Sequence, residues 1–267
     1  MFQQTGVIFD PAQAGLRVHQ YAQAVGLYDK ALDRAFARDD LPAIGDLGYE
    51  SALALLRDGR SEAAAKRARE TAIELTRRGQ APFPALTLAE AVALYSTKDA
   101  AAGPTAARAR DSAGGNPQVT ARANYLLGMI AADQRDAAAL GQILVALGQP
   151  IDPGLRADRL ELTGRSQLLA GAPTQALSSF QETVTLRRET KDLPGVARAL
   201  AFAGQAATDS GNGAEAADLY LRAGRAAQAN NRPADARQWL SSAARLAETS
   251  NAPTILAEAR ERLASLD

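Results

Sequence analysis

The chain contains no cysteine. Disulfide cross-links, thiolate nucleophiles and cysteine metal ligands are therefore excluded. Histidine occurs once, as His19, so neither a His/Cys metal cluster nor a Cys–His dyad can be assembled. The segment around His19 reads as a plain amphipathic helix, and we expect no catalytic residues, no metal site and no cofactor. Lysine is nearly missing: beyond Lys30, Lys66, Lys98 and Lys191, every basic side chain is an arginine. Charge of either sign is not in excess, with 30 basic and 30 acidic residues. That balance argues against a nucleic-acid partner, which calls for a basic surface able to displace counterions. No apolar run approaches the ~18 residues of a membrane-spanning helix, and no signal peptide is visible. The glycine-rich stretch from Asp209 to Gly213 lacks the preceding strand and trailing lysine of a phosphate loop and reads as a turn. Large anchors are scarce too. Aromatics are 5% of the chain, and Trp239 is the single tryptophan, read as packing a terminal repeat.

What the chain does have is alanine and a recurring phrase. Apolar residues make up 46% of it, enough to bury surface and to exclude disorder. Alanine is the best helix former, and its small side chain lets helices approach closely. The phrase is a glycine, a turn, an alanine and then a bulky residue four positions on. It reads Gly164, Ala176, Phe180; then Gly204, Ala216, Tyr220; then Gly224, Ala236, Leu240. The glycine-to-alanine spacing is twelve residues each time. One helix thus presents a notch and its partner fills it, which makes the chain a stack of helical hairpins.

Helix boundaries follow from proline, glycine and apolar spacing. The first helix is expected over 11–38, where Val18, Tyr21, Val25, Tyr28, Leu32 and Ala35 form one apolar stripe. That stripe reads either as the cap of the first hairpin or as a coiled-coil seam. Leu41-Pro42 opens a second helix that ends near Asp58-Gly59. Ser61 opens a third, ending at Arg77-Arg78-Gly79, and Pro82 and Pro84 open a fourth. Residues 98–118 carry the breakers Gly103-Pro104 and Gly114 to Pro117, with a short helix from Ala106 to Ser112 between them. This is the candidate hinge or irregular repeat. Helices are then expected at 118–132, 136–148, 154–170, 173–190, 194–210, 213–229, 233–248 and 253–265.

The pattern resembles the tetratricopeptide repeat (TPR) family. One unit carries Leu160, Thr163, Gly164, Gln167, Ala176 and Phe180. The next carries Leu200, Ala203, Gly204, Ala207, Ala216, Tyr220 and Ala223. A third frame starts at Tyr220, so the helix around it fits two registers. The match is good over 157–248 and degenerate before that, and the forty-residue spacing departs from the usual thirty-four. The resemblance implies an all-α, right-handed solenoid of about a dozen helices in one continuous body. Degenerate repeats would fill 11–117 and clearer ones 118–267, behind a flexible tail at 1–10.

The resemblance also implies a concave face. It would hold Asp158, Glu161, Arg165, Leu168 and Leu169 in one unit, and Arg198, Ala201, Gln205, Thr208 and Asp209 in the next. A looser upstream unit would add Arg122, Tyr125, Met129, Ala132 and Asp133. The Lys/Asn clamp for a peptide's terminal carboxylate is not there: its positions hold Glu161/Arg165, Ala201/Gln205 and Tyr125/Met129. Two functions stay open. One is a non-catalytic scaffold that recognises a protein or peptide partner through Arg122, Tyr125, Arg165, Arg198 and Gln205. The other is a carrier of a lipid or other hydrophobic small molecule in a transport pathway, with Tyr125, Met129, Leu168 and Phe202 lining a pocket. The segment from Met1 to Asp10 does not read as the start of a folded element. It resembles what remains of a periplasmic TPR lipoprotein once its targeting segment is removed, so a periplasmic location is expected, with a cytoplasmic one as the alternative. Oligomeric state is not legible in the sequence.

Overall fold

The computed structural model describes residues 19–81 and 83–266. Among the described residues there are thirteen α-helices and no strand. The protein is an all-α helical repeat, and none of its described helices is long and apolar enough to cross a membrane. Two compact units divide the chain, Met1–Ile130 and Ala131–Asp267. The tail at 1–10, the expected helix segment 11–18 with Val18, and Pro82 lie outside the described residues.

In the first unit, α1 (His19–Ala37), α2 (Leu41–Arg57), α3 (Ser61–Arg77), α4 (Pro84–Ser96) and α5 (Ala102–Asp111) pack each against the next. α6 (Pro117–Asp133) crosses the boundary between the units. Its first half joins α4 and α5 in a shared core through Val119, Ala123 and Leu126. The stripe on α1 is a core face: Val25, Leu32 and Ala35 are buried. The 98–118 region holds α5, one turn longer at its start than the sequence suggested, flanked by left-handed residues at Lys98, Gly114 and Gly115.

The second unit holds α7 (Ala137–Leu147), α8 (Pro153–Leu169), α9 (Pro173–Glu189), α10 (Leu193–Asp209), α11 (Gly213–Ala229), α12 (Pro233–Thr249) and α13 (Pro253–Ala264), again packed in chain order. From α8 onward the array is strictly periodic. Helices start at 153, 173, 193, 213, 233 and 253, so one helix and its turn occupy twenty residues. The helices α8 to α12 are each 17 residues long, or about 25 Å. Every turn is closed the same way. The amides of Ala172, Asp192, Asn212, Arg232 and Ala252 reach back to the carbonyls of Gln167, Arg187, Ala207, Ala227 and Ala247 at 2.8–2.9 Å. This bond satisfies carbonyls the helix end leaves open, and it requires a left-handed residue just before it. Gly171 and Gly211 supply that conformation without strain, whereas Lys191, Asn231 and Asn251 adopt it with a side chain. At the other helix ends, Asp152 and Asp192 cap α8 and α10 by accepting the amides of Leu155 and Gly195.

The glycine notches are occupied as the spacing predicts. A methyl group at Gly164, Gly204 or Gly224 would meet Phe180, Tyr220 or Leu240 at under 3.0 Å. α11 uses both registers at once. Its Tyr220 fills the notch of α10, and its own Gly224 receives Leu240 from α12. Trp239 packs half-buried against the central core of this unit.

Candidate functional site

In the second unit, α8 and α10 each turn one row of side chains to a common side. On α8 the row is Asp158, Glu161, Arg165 and Leu168, and on α10 it is Arg198, Phe202, Gln205 and Asp209. Spacings of three and four put each set on one helical face. The two rows meet through two different kinds of contact.

Near the helix starts the contact is ionic and buried. Arg187, near the end of α9, donates to Asp158 Oδ1 at 2.6 Å, Glu161 Oε2 at 3.0 Å and Asp192 Oδ2 at 2.9 Å. Arg198 donates from Nε to Glu161 Oε1 at 2.6 Å and from Nη2 to Oε2 at 3.1 Å. Asp158 and Glu161 are wholly buried, and Arg187 is 3% exposed. Burial on its own would raise the Glu161 carboxyl; the Arg198 and Arg187 guanidiniums beside it outweigh burial and hold it down at about 2. Glu161 is therefore an anion at neutral pH, clamped from two sides. The cluster ties α8, α9 and α10 together.

Further along, the contact is aromatic. The Arg165 guanidinium lies 4.9 Å from the ring centre of Phe202, which suits a cation–π contact. Arg165 also donates to Asp133. Phe202 in turn stacks on Phe180 with centroids 5.4 Å apart and planes 24° from parallel. Beyond them Gln205, exposed, donates to Asp209 at 2.8 Å and accepts from the Tyr220 hydroxyl at 3.3 Å. The Tyr220 hydroxyl is raised by burial and by Asp209, with Arg245 opposing.

The structure thus gathers Arg165, Arg198, Phe202 and Gln205 with Leu168, which packs half-buried against the core beneath. Both arginines are engaged with the protein's own carboxylates, which the sequence did not reveal. Arg122, Tyr125 and Met129 sit on α6, in the other unit, where Arg122 and Tyr125 are half-buried and Met129 is buried. Among the described residues no cluster of His, Asp or Glu could hold a metal ion. Open pockets among the described residues include two away from this face. One, of about 220 Å³, involves Val25, Asp29, Arg60 and Arg67; the other, of about 290 Å³, involves Leu144, Val145 and Arg159. Neither is lined by Tyr125, Met129, Leu168 or Phe202.

Sequence reasoning missed Arg187 and Asp192. Arg187 had a visible signal: it continues the buried row Ala176, Phe180 and Thr183 at the same spacing of three and four. A charge at a core position of a helix implies a buried partner of opposite sign. No protein-family model matches the chain, and no curated protein matches it.

Proposed function

We propose that this protein is a non-catalytic binding scaffold, TPR-like in build, that takes a protein or peptide segment on the α8–α10 face of its second unit. The observation that supports this is the shelf formed by Arg165 over Phe202 over Phe180. Aromatic and guanidinium groups carry most of the energy in protein interfaces. Here Phe202 is partly exposed, with the Arg165 side chain only 11% exposed and Phe180 buried beneath it, so the shelf is already fixed in place and little side-chain entropy is lost on binding. In this reading Phe202, Gln205 and Tyr220 touch the partner. Arg165 and Arg198 orient the face through Asp133 and Glu161. Arg122 and Tyr125 on α6 are contact positions of the first unit.

Affinity capture from the native host tests the reading. A partner held at stoichiometric amounts by the wild-type chain should be lost with Phe202→Ala combined with Gln205→Lys, while the helical circular dichroism signal stays unchanged. Retention of the partner by that variant would remove this face from consideration. The carrier reading requires a pocket at Tyr125, Met129, Leu168 and Phe202, and the two pockets described lie elsewhere. Organic extraction and mass spectrometry separate the two readings, since a stoichiometric lipid would replace the scaffold with the carrier. We propose a bacterial periplasmic location; fractionation of the host with an antibody to the chain checks this.

A further inference from the structure

α7 is unlike every other described helix. Its sequence, AAALGQILVAL, contains no charged residue, whereas each of the other twelve described helices carries at least one. Such a helix belongs in a core, yet only Leu140 is buried. Val145 is 82% exposed, and Ile151, in the connection to α8, is 93% exposed. These are the two most exposed large apolar side chains among the described residues. Beside them lies the pocket of about 290 Å³, lined by Leu144, Val145, Gly148, Gln149 and Arg159. Arg159 comes from the first half of α8, and its Nε is buried with no acceptor. Nearby arginines in this unit are matched to carboxylates: Arg165 to Asp133, Arg187 to Asp158, Arg198 to Glu161. A partly buried guanidinium whose Nε finds no acceptor among the described residues, in a pocket it shares with half-buried Leu144 and exposed Val145, is costly in the free protein. Both costs disappear against the same kind of occupant.

We propose that the α7 face is a second docking surface, for an amphipathic segment of a protein partner whose aliphatic side chains cover Val145 and Ile151 and whose Asp or Glu pairs with Arg159. Charge complementarity selects this occupant. A second copy using the same face would bring no acid, because the pocket lining contains none. A membrane surface calls for several basic groups to meet its headgroups, and this pocket has one. The surface is independent of the α8–α10 face, and the two fail separately in experiment.

The test uses the full chain and a fluorescently labelled synthetic helical peptide with Leu at every third and fourth position and Glu beside it. Counterparts carry Gln or Lys in place of Glu. Anisotropy titration should show the Glu peptide binding about tenfold more tightly than the Gln peptide, as one charge pair at a partly buried site provides. Val145→Asp should abolish binding. Arg159→Gln should erase the preference for Glu while keeping the aliphatic contribution, and Phe202→Ala should change neither. Equal binding of the Glu, Gln and Lys peptides, or an Arg159→Gln protein that keeps the preference, overturns the proposal. So does a chain that self-associates through this face, seen as a dimer in sedimentation that Val145→Asp converts to monomer. Sedimentation with phosphatidylglycerol vesicles that depends on Val145 overturns it as well.

Discussion

Replacing Gly164 by alanine adds one methyl group to a helix, which on propensity alone should stabilise it by about 1 kcal/mol. The packing of α8 on α9 predicts the opposite. The added carbon would lie 2.7 Å from Phe180 Cε1 and 2.8 Å from Cζ, against the ~3.5–4.0 Å of a relaxed carbon contact. The ring cannot swing aside, because Phe180 is wholly buried and stacked on Phe202. The helices must part by several tenths of an ångström instead. Forcing a methyl group into a filled core costs about 1–3 kcal/mol. After the propensity gain, Gly164→Ala should destabilise the second unit by up to about 2 kcal/mol. Gly141 in α7 is the control, since nothing lies within 4 Å of the place its methyl group would take. There the same substitution should stabilise by up to about 1 kcal/mol.

Trp239 is the single tryptophan and packs against the core of this unit, so its fluorescence during urea unfolding follows the relevant transition. Circular dichroism follows both units, which an array of repeats need not unfold together. A double-mutant cycle sharpens the comparison. Phe180→Leu makes room at the notch, so the cost of Gly164→Ala should shrink by about 1 kcal/mol or more in that background. If Gly164→Ala stabilises the chain as much as Gly141→Ala does, or if Phe180→Leu leaves its effect unchanged, the notch is not what holds α8 to α9.

Two further predictions concern the ion cluster. The Glu161 carboxyl sits at about 2 when folded, against an ordinary value of 4.5, so the unfolded chain takes up this proton first. The stabilisation, about 3 kcal/mol, is then complete above about pH 4.5 and is lost as pH falls through about 2. Unfolding midpoints should fall across that window, less steeply in Glu161→Gln, and parallel falls would refute the assignment. Arg187→Ala strands Asp158 and Glu161 without their shared cation and should cost about 3–5 kcal/mol. Adding Asp158→Ser and Glu161→Ala should return most of that, as read by the same urea assay, and a further loss would show that the carboxylates are stabilising on their own.

Nearly all helices of the fold were legible because their limits are set locally. Proline opens α8, α9, α12 and α13 in the first turn, where its missing amide costs nothing. Left-handed residues close the helices, and the glycine-to-bulky spacing gave the notches in the right pairs. The two registers around Tyr220 were both real, which no choice between them could have captured. The site was legible only in its rows. That Arg165, Arg198, Phe202 and Gln205 share a side follows from helical period. That Arg198 is bound to Glu161 depends on how α8 and α10 lie across α9, which sequence spacing does not give.

The ion cluster was nonetheless written in the sequence, in a form that needs the period of twenty to read. One, two and three periods after Arg187 stand Ala207, Ala227 and Ala247, all buried. Two periods after Glu161 stands Ala201, and two after Asp158 stands Arg198 itself. At the Arg187 position the array's ordinary choice is thus alanine, and α9 departs from it, whereas the Glu161 position varies through Gln181, Ala201, Leu221 and Ser241. Burying ions in place of alanine seldom adds stability, because desolvation offsets the attraction. What it adds is discrimination. In an array whose helices repeat every twenty residues, each apolar face could pair with a helix one period away at small cost. A cation on α9 that must find two carboxylates on α8 allows one partner only. We read the cluster as the device that fixes the order of α8, α9 and α10, and so holds the shelf of Arg165 and Phe202 in one shape.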